Sequence, residues 1–343
     1  LLAAASLGAC GTNPTRGNAS TQAASPKATW ALALHGGAGT LDKDADPAQL
    51  KAYEAALASA LRTGTTILSQ GGSALAACEA VVRELEDNEL FNAGRGAAIN
   101  EQGVVELDAA IMDGSTEHYG AVTGVTTVRN PVSLARTLMQ QQRFRMLAGQ
   151  GAEAFANDYP VLQRVPNAWF ITPRRLRMLQ DELASRTSRS HAASVQSTAP
   201  SRLGTVGCVA LDSAGNLAAA TSTGGITGKP AGRVGDAPLI GSGTLATRLV
   251  AISCTGSGEQ FIRVGAARVL AQRIELLGES VHEAASHVIF EKLAKDDGGL
   301  IALSADGSIA MPYSTTGMYR AWAREQSNGS VQSGVAIFEE STP

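Results

Sequence analysis

Gly204-Thr205-Val206-Gly207-Cys208-Val209-Ala210-Leu211-Asp212-Ser213-Ala214-Gly215-Asn216-Leu217-Ala218-Ala219-Ala220-Thr221-Ser222-Thr223-Gly224-Gly225 reads as a β-hairpin that opens on a threonine and closes in glycines. Residues 205–211 have strand composition, residues 212–216 are turn formers, and residues 217–221 return as the partner strand. The 20 residues before the hairpin break with this character: 184–203 are rich in Ser, Thr, Ala and Arg, include His191, and show no apolar period. They read as a mobile linker. Thr205 therefore stands between a linker and a strand. On residue type alone it is a β-former, because threonine is favoured in strands.

Working outward toward the N-terminus, residues 30–34 read as a first strand that breaks into the glycine turn His35-Gly36-Gly37-Ala38-Gly39. A helix is expected from Pro47 to about Gln70, with Leu50, Tyr53, Leu57, Leu61 and Leu68 at helical spacing. A second follows Gly71-Gly72 with Ser73 as its cap. Residues 91–97 hold too much glycine for an element interior, 119–128 look like a strand, and Pro131 and Gly151 open short helices. A polar helical stretch ends near Leu183. Beyond the hairpin come a glycine-rich loop over 224–235, a strand over 249–254, helices over 259–277 and 281–295, and a late hairpin about Asp306-Gly307. Helices grouped between hairpins point to helical layers over mixed or antiparallel sheets, not to regular βαβ alternation.

The 343 residues carry 28 Lys and Arg against 31 Asp and Glu, a balance without the broad positive field that nucleic-acid binding needs. The run Pro173-Arg174-Arg175-Leu176-Arg177 reads as a solvated helical face. Cys78, Cys208 and Cys254 are isolated in apolar contexts and read as buried free thiols. None of the five histidines has zinc-ligand spacing, Gly36 to Gly39 lacks the dinucleotide-loop spacing, and there is no GxSxG elbow. Residues 1–9 are apolar and lead through Leu7-Gly8-Ala9-Cys10 into a polar stretch, the pattern of a truncated export signal with Cys10 as a lipidation site and a tether to residue 29. The corresponding address is the periplasm or the outer membrane of a bacterium, or the cytoplasm if this segment is no signal.

Several stretches, in order, resemble one family. They are HGGAG at 35–39, LFNAGRGA at 90–97, ELDAAIMDG at 106–114, GAV and RNPVSLAR within 120–136, the hairpin 204–225, GRVGDAPLIGSG at 232–243, SCTGSGE at 253–259 and GMYRAW at 317–322. From about Trp30 to Trp322 the chain is similar to the threonine-type asparaginases and isoaspartyl peptidases, members of the N-terminal nucleophile hydrolases. GSGTLA at 241–246 departs modestly from the usual pattern near the pocket and leaves the leaving-group preference open.

The resemblance implies an α+β fold, a four-layer αββα sandwich in one domain, 30–343. Its first piece would be 30–204, with the mobile linker at 184–204, and its second 205–343. The precursor would cut its own Gly204-Thr205 bond, freeing Thr205 as nucleophile. Thr223 would orient it, Thr255 and the Gly256 N–H would form the oxyanion hole, and the loop residues Arg233, Val234, Gly235, Asp236, Ser257 and Gly258 would bind substrate. Within that loop set, Arg233 would meet the α-carboxylate and Asp236 the α-ammonium, with the Gly258 carbonyl assisting. Substrates would be asparagine and β-aspartyl dipeptides, and two cut units would pair. No cofactor is implied beyond a structural sodium ion on the carbonyls of Leu85, Glu86, Asn88, Phe91, Ala93 and Arg95. His35 is expected to hydrogen-bond in packing, not to act as a base. HGGAG and GTVG match this branch better than the one acting on glycosylated asparagine. A non-catalytic lipoprotein of the same fold would be favoured had Thr205, Arg233, Asp236 or Thr255 been lost, and all four stand.

Overall fold

The computed structural model describes residues 28–39, 46–141, 143–191 and 204–338. The Cys10 segment and residues 192–203 lie outside this set.

In chain order the first piece comprises β1 (Trp30–Gly39), α1 (Pro47–Ser69), α2 (Ala74–Asp87), β2 (Leu107–Asp113), β3 (Tyr119–Val125), α3 (Pro131–Met139), β4 (Met146–Ala148), α4 (Gly149–Asn157) and α5 (Pro173–His191). The second comprises β5 (Val206–Leu211), β6 (Leu217–Thr223), β7 (Thr244–Ala246), β8 (Val250–Gly256), α6 (Gly258–Val264), α7 (Ala266–Leu277), α8 (Val281–His287), β9 (Gly298–Ser304), β10 (Ile309–Ala310), β11 (Gly317–Glu325) and β12 (Val331–Ala336). The strands form an eight-stranded sheet, β12-β11-β1-β5-β6-β2-β3-β4, and a four-stranded sheet, β10-β9-β8-β7.

Strand alternation sorts the core into two layers. Leu32 and Leu34 of β1, with Val206, Cys208 and Ala210 of β5, face a cluster built with α1, α2 and α3. Ala31 and Ala33, with Val209 and Leu211, face the opposite cluster, which holds the small sheet and the apolar sides of α7 and α8. Helix, sheet, sheet and helix thus stack as the αββα sandwich, with β1 and β5 at its centre. Gly64 of α1 lies so near Leu32 and Val81 that a β-carbon there would sit 2.4 Å from a Leu32 methyl. That places α1 tightly over the central strand.

Local chemistry explains the helix starts. Ser73 accepts from the Ala76 N–H, Ser280 and Glu283 form a capping box, and proline opens both α1 and α3. Four expectations are corrected. The glycine run 35–39 is strand, with a bulge between His35 and Gly37 in its register with β11. The helix expected over 259–277 is two helices, because Gly265 adopts φ 62° and turns the chain. α5 runs to His191, so 184–191 are helix and not linker. Finally, Arg175 is not solvated: it is fully buried, its Nε donates to the Gly96 carbonyl, and its Nη2 to that of Phe91. Cys78, Cys208 and Cys254 are free and buried, as expected. No helix among the described residues is long and apolar enough to cross a membrane.

Candidate active site

The hairpin β5-β6 carries two of the expected residues to one point. Thr205 immediately precedes β5, Thr223 ends β6, and the Thr205 hydroxyl donates to the Thr223 Oγ1 at 3.2 Å. Thr223 Oγ1 also accepts from the Gly225 N–H at 3.0 Å, so the receiving hydroxyl is itself fixed. Both threonines are buried.

Gly204 lies against the bulge of β1. A β-carbon at Gly37, whose φ is 118°, would stand 2.7 Å from the Gly204 Cα, and one at Gly204 would stand 2.5 Å from Thr255 Oγ1. Glycine at 37 is required twice, for the dihedral and for the approach. Thr255, near the end of β8, accepts from the Ala38 N–H at 3.1 Å. The Gly204-Thr205 peptide is therefore wedged between β1 and the end of β8.

The rest of the expected pocket comes from the loop before β7 and the turn after β8. Gly235, Asp236, Arg233, Gly256 and Gly258 line one cavity with Gly204, Thr205 and Thr223. It measures about 20 Å³, room for one water but not for an amino acid, while Gly204 occupies its wall. Gly258 packs so closely that a β-carbon there would lie 3.0 Å from Arg233 Nη2 and 3.1 Å from the Asp236 N. Val234 and Ser257 do not line this cavity: Ser257 precedes α6 and its N–H donates to the Asp297 carbonyl.

Two charges define the pocket's polarity. Arg233 presents its Nε and Nη2 to Glu259 at 2.9 and 2.7 Å, a bidentate pair that leaves Nη1 directed toward Gly225 and Gly235. The edge expected for substrate is thus partly taken by the protein's own carboxylate. Asp236 is buried, and its Oδ2 has no hydrogen-bond partner among the described residues. Burial raises its carboxyl pKa to about 7, against the opposing pull of Arg233.

Further groups surround the site that motif reading did not single out. Asp108 lies opposite Thr223 in the β2-β6 register, fully buried, with its pKa raised by burial and restrained by Lys229. Lys229, equally buried, donates from Nζ to the Glu106 carbonyl at 2.9 Å, and burial lowers its pKa. Asn92 stitches the 90–97 loop to the site by donating to the Gly225 carbonyl and accepting from the Ala98 N–H. An aspartate flanked by Leu107 and Ala109 inside an otherwise apolar strand was the available signal for Asp108. His35, expected to serve packing, reaches the site directly: its Nδ1 lies 2.9 Å from the Thr205 carbonyl oxygen.

The expected sodium turn is folded on its own carbonyls. Leu85, Glu86 and Asn88 accept from the N–H groups of Asn88, Arg95 and Phe91, which leaves each carbonyl one lone pair. The Phe91 carbonyl already receives the Arg175 guanidinium at 3.3 Å. No group of three or more His, Cys, Asp or Glu suited to a metal occurs among the described residues.

Comparison with known proteins places this arrangement. The family model described as "Asparaginase" matches residues 28–333. The isoaspartyl peptidase of Escherichia coli (strain K12) is 45% identical over 301 residues, covering 85% of this chain and 92% of that protein. The probable isoaspartyl peptidase/L-asparaginase 2 of Arabidopsis thaliana is 39% identical, covering 90% and 99%, and the isoaspartyl peptidase/L-asparaginase of Rattus norvegicus is 38% identical, covering 94% and 93%. With motifs, layers and site in agreement, the chain belongs to the threonine-type asparaginase and isoaspartyl peptidase family of N-terminal nucleophile hydrolases.

Proposed function

We propose that the chain cuts itself between Gly204 and Thr205 and then hydrolyses the side-chain amide of L-asparagine and the isopeptide bond of β-aspartyl dipeptides. The observation that carries this reading is the Thr205 hydroxyl, 3.2 Å from Thr223 Oγ1 and beside a Gly204 packed on glycine backbone.

In maturation, Thr205 Oγ1 attacks the Gly204 carbonyl carbon, the C–N bond breaks as nitrogen takes a proton, and water hydrolyses the resulting ester. Gly204 leaves as a carboxylate and Thr205 keeps a free α-amine. Such an amine has an unperturbed pKa of about 7.7–8.0 and accepts the hydroxyl proton near neutral pH without a histidine. In turnover, Thr205 Oγ1 attacks the substrate's β-carbonyl, Thr255 and the Gly256 N–H stabilise the oxyanion, and ammonia or an amino acid departs with the proton. Water then releases aspartate. Thr223 orients the nucleophile, which its bond from the Gly225 N–H supports.

Arg233 and Asp236, with the 234–235 and 257–258 backbone, select a free amino-acid head group. The buried Asp236 Oδ2 is an acceptor that an α-ammonium would satisfy. Because Glu259 holds the Nε edge of Arg233, substrate carboxylate meets the Nη1 side. An ordinary internal peptide bond offers no such carboxylate, which disfavours general proteolysis.

The domain division at 204 and 205 follows from this chemistry. Two cut units pair, the 85–95 turn holds sodium on its carbonyls, and Cys10, lipidated as the first residue once the signal is removed, tethers the enzyme outside the cytoplasm through the stretch to residue 29. These three readings rest on the resemblance and the residue pattern. The test is a purified sample assayed for ammonia from L-asparagine and for amino acid from a β-aspartyl dipeptide. Activity on either, lost in T205A, is the expected result. Inactivity on both in protein already cut would sink the substrate assignment.

A further inference from the structure

His35 is fully buried and takes no part in the chemistry above, yet it touches the nucleophile's own residue. The β1-β5 register ends at His35 opposite Gly207, next to the shift in the β1-β11 register and to Gly37, on which Gly204 packs. Thr205 lies beyond the last registered pair, and the ring Nδ1 reaches its carbonyl in place of a strand neighbour. On its other side the ring Nε2 lies 2.8 Å from Ser253 Oγ, which lies 2.7 Å from Thr221 Oγ1. Thr221 is 2.6 Å from Thr244 Oγ1, and Thr244 is 2.8 Å from the carbonyl oxygen of Ala237, the residue after Asp236. All three hydroxyl residues are buried. This polar line alternates between the large sheet (His35, Thr221) and the small one (Ser253, Thr244), at the edge of an otherwise apolar interlayer core. Gly207 leaves it room, since a β-carbon there would fall 2.5 Å from His35 Nε2 and 1.9 Å from Ser253 Oγ.

The line ends on a carbonyl at each end, and a carbonyl can only accept. Burial pushes the His35 pKa down to about 3, so near neutral pH the ring brings one N–H. With one proton from each hydroxyl, four protons serve five contacts. If Nδ1–H donates to Thr205, every hydroxyl must donate toward the ring, and Ala237 goes without. If the hydroxyls donate the other way, Ala237 is served and the Thr205 carbonyl faces a bare ring nitrogen. Among the described residues, the only other acceptor hydrogen-bonded to the line is the Gly243 carbonyl, 3.4 Å from Thr221 Oγ1.

We infer that His35 is a positioning residue for Thr205, and that its hydroxyl line couples the nucleophile's carbonyl to the loop carrying Asp236, binding one end or the other. This rests on Thr205 being the nucleophile and Asp236 the ammonium site. Once Thr205 becomes a chain end, the ring's grip on its carbonyl keeps the hydroxyl over Thr223.

The test compares H35N and H35Q in the cut enzyme. Asparagine places its amide N–H near the Nδ1 position and keeps the bond to Thr205. Glutamine reaches toward Nε2, keeps Ser253 and loses Thr205. A packing role alone would favour glutamine, the closer match in length and volume. We expect kcat of H35N to stay within about threefold of wild type and that of H35Q to fall on the order of 100-fold, with KM little changed in both. H35Q equal to or better than H35N would overturn the inference.

Should neither variant fold, T244V keeps the question decidable. It leaves three contacts and three protons, so the His35 ring should be the Nδ1–H tautomer by its nitrogen chemical shifts; an Nε2–H ring would overturn the inference. The ring measurement reads the line even in a chain that proves uncut and inactive. Failure of the nucleophile reading, seen as a folded wild type without cleavage or activity, is thus distinguishable from failure of this one.

Discussion

The two halves of the site are finished to different degrees. Around Thr205 the polar atoms meet the chain's own groups: the hydroxyl donates to Thr223, the carbonyl faces His35 Nδ1, and Thr223 accepts from the Gly225 N–H. Around the head-group pocket, Asp236 Oδ2 is buried without a partner among the described residues. The two share one cavity, whose wall Gly235 and Gly258 help to form. Leaving a buried carboxylate oxygen unpaired destabilises a fold, and such groups persist where a ligand completes them. On the proposed reading, the chain itself pre-organises the reacting half, and substrate would complete the recognising half.

The contrast can be broken most severely at the finished half. T205A should abolish cleavage and lower hydrolysis by on the order of 10⁴-fold or more, read by intact mass and by ammonia release. T255A, introduced into protein that still cuts, should lower kcat about 10²- to 10³-fold with a small change in KM, as expected for a group acting on the oxyanion. A purely KM effect would move Thr255 to the recognising half. There, D236N should raise KM about 10- to 100-fold and leave kcat nearly unchanged, because an amide keeps the shape and loses the charge for an ammonium. Since burial holds Asp236 near 7, wild-type KM should rise as pH falls below about 7, and that limb should be absent from D236N.

The smallest effects are on stability. Neutral buried His35 has a folded pKa of about 3 against an ordinary 6.5, so only the unfolded chain takes up its proton between these values. Stability therefore falls as pH drops through that window. Glu86 is pushed up to about 8 from 4.5 by burial; the folded chain keeps that proton while the unfolded chain releases it, so stability falls as pH rises from 4.5 toward 8. Denaturant midpoints across pH should show both limbs, and E86Q should remove the alkaline one.

The fold was legible where patterning is local. The hairpin shows strand composition over 205–211 and 217–221 about the turn formers 212–216, and Pro131 fixes the start of α3. It was illegible where tertiary approach overrides local preference. Residues 36 to 39 look like a turn, yet they are strand because β11 pairs with Gly37, Ala38 and Gly39 and Gly204 packs on Gly37. Residues 184–191 have no apolar period and still extend α5, whose early turns are anchored by Arg174 on the Tyr53 hydroxyl and by the buried Arg175. Apolar period runs through Gly265, so only its left-handed backbone reveals two helices.

At the site, Thr205 was visible only through several motifs in order, since threonine at a strand start is ordinary. Asp108, Lys229 and the His35 line were missed because their partners are distant in sequence. Ser253 lies 218 residues from His35, and no spacing rule links them.

Every step of the proposed chemistry depends on the chain exposing Thr205 by its own cleavage. Mass spectrometry of the purified protein under denaturing conditions, after incubation near neutral pH, tests it most directly. Two pieces that meet between Gly204 and Thr205 are expected, the second beginning with a free threonine. A folded chain that stays whole, or one that parts at any other bond, would contradict it.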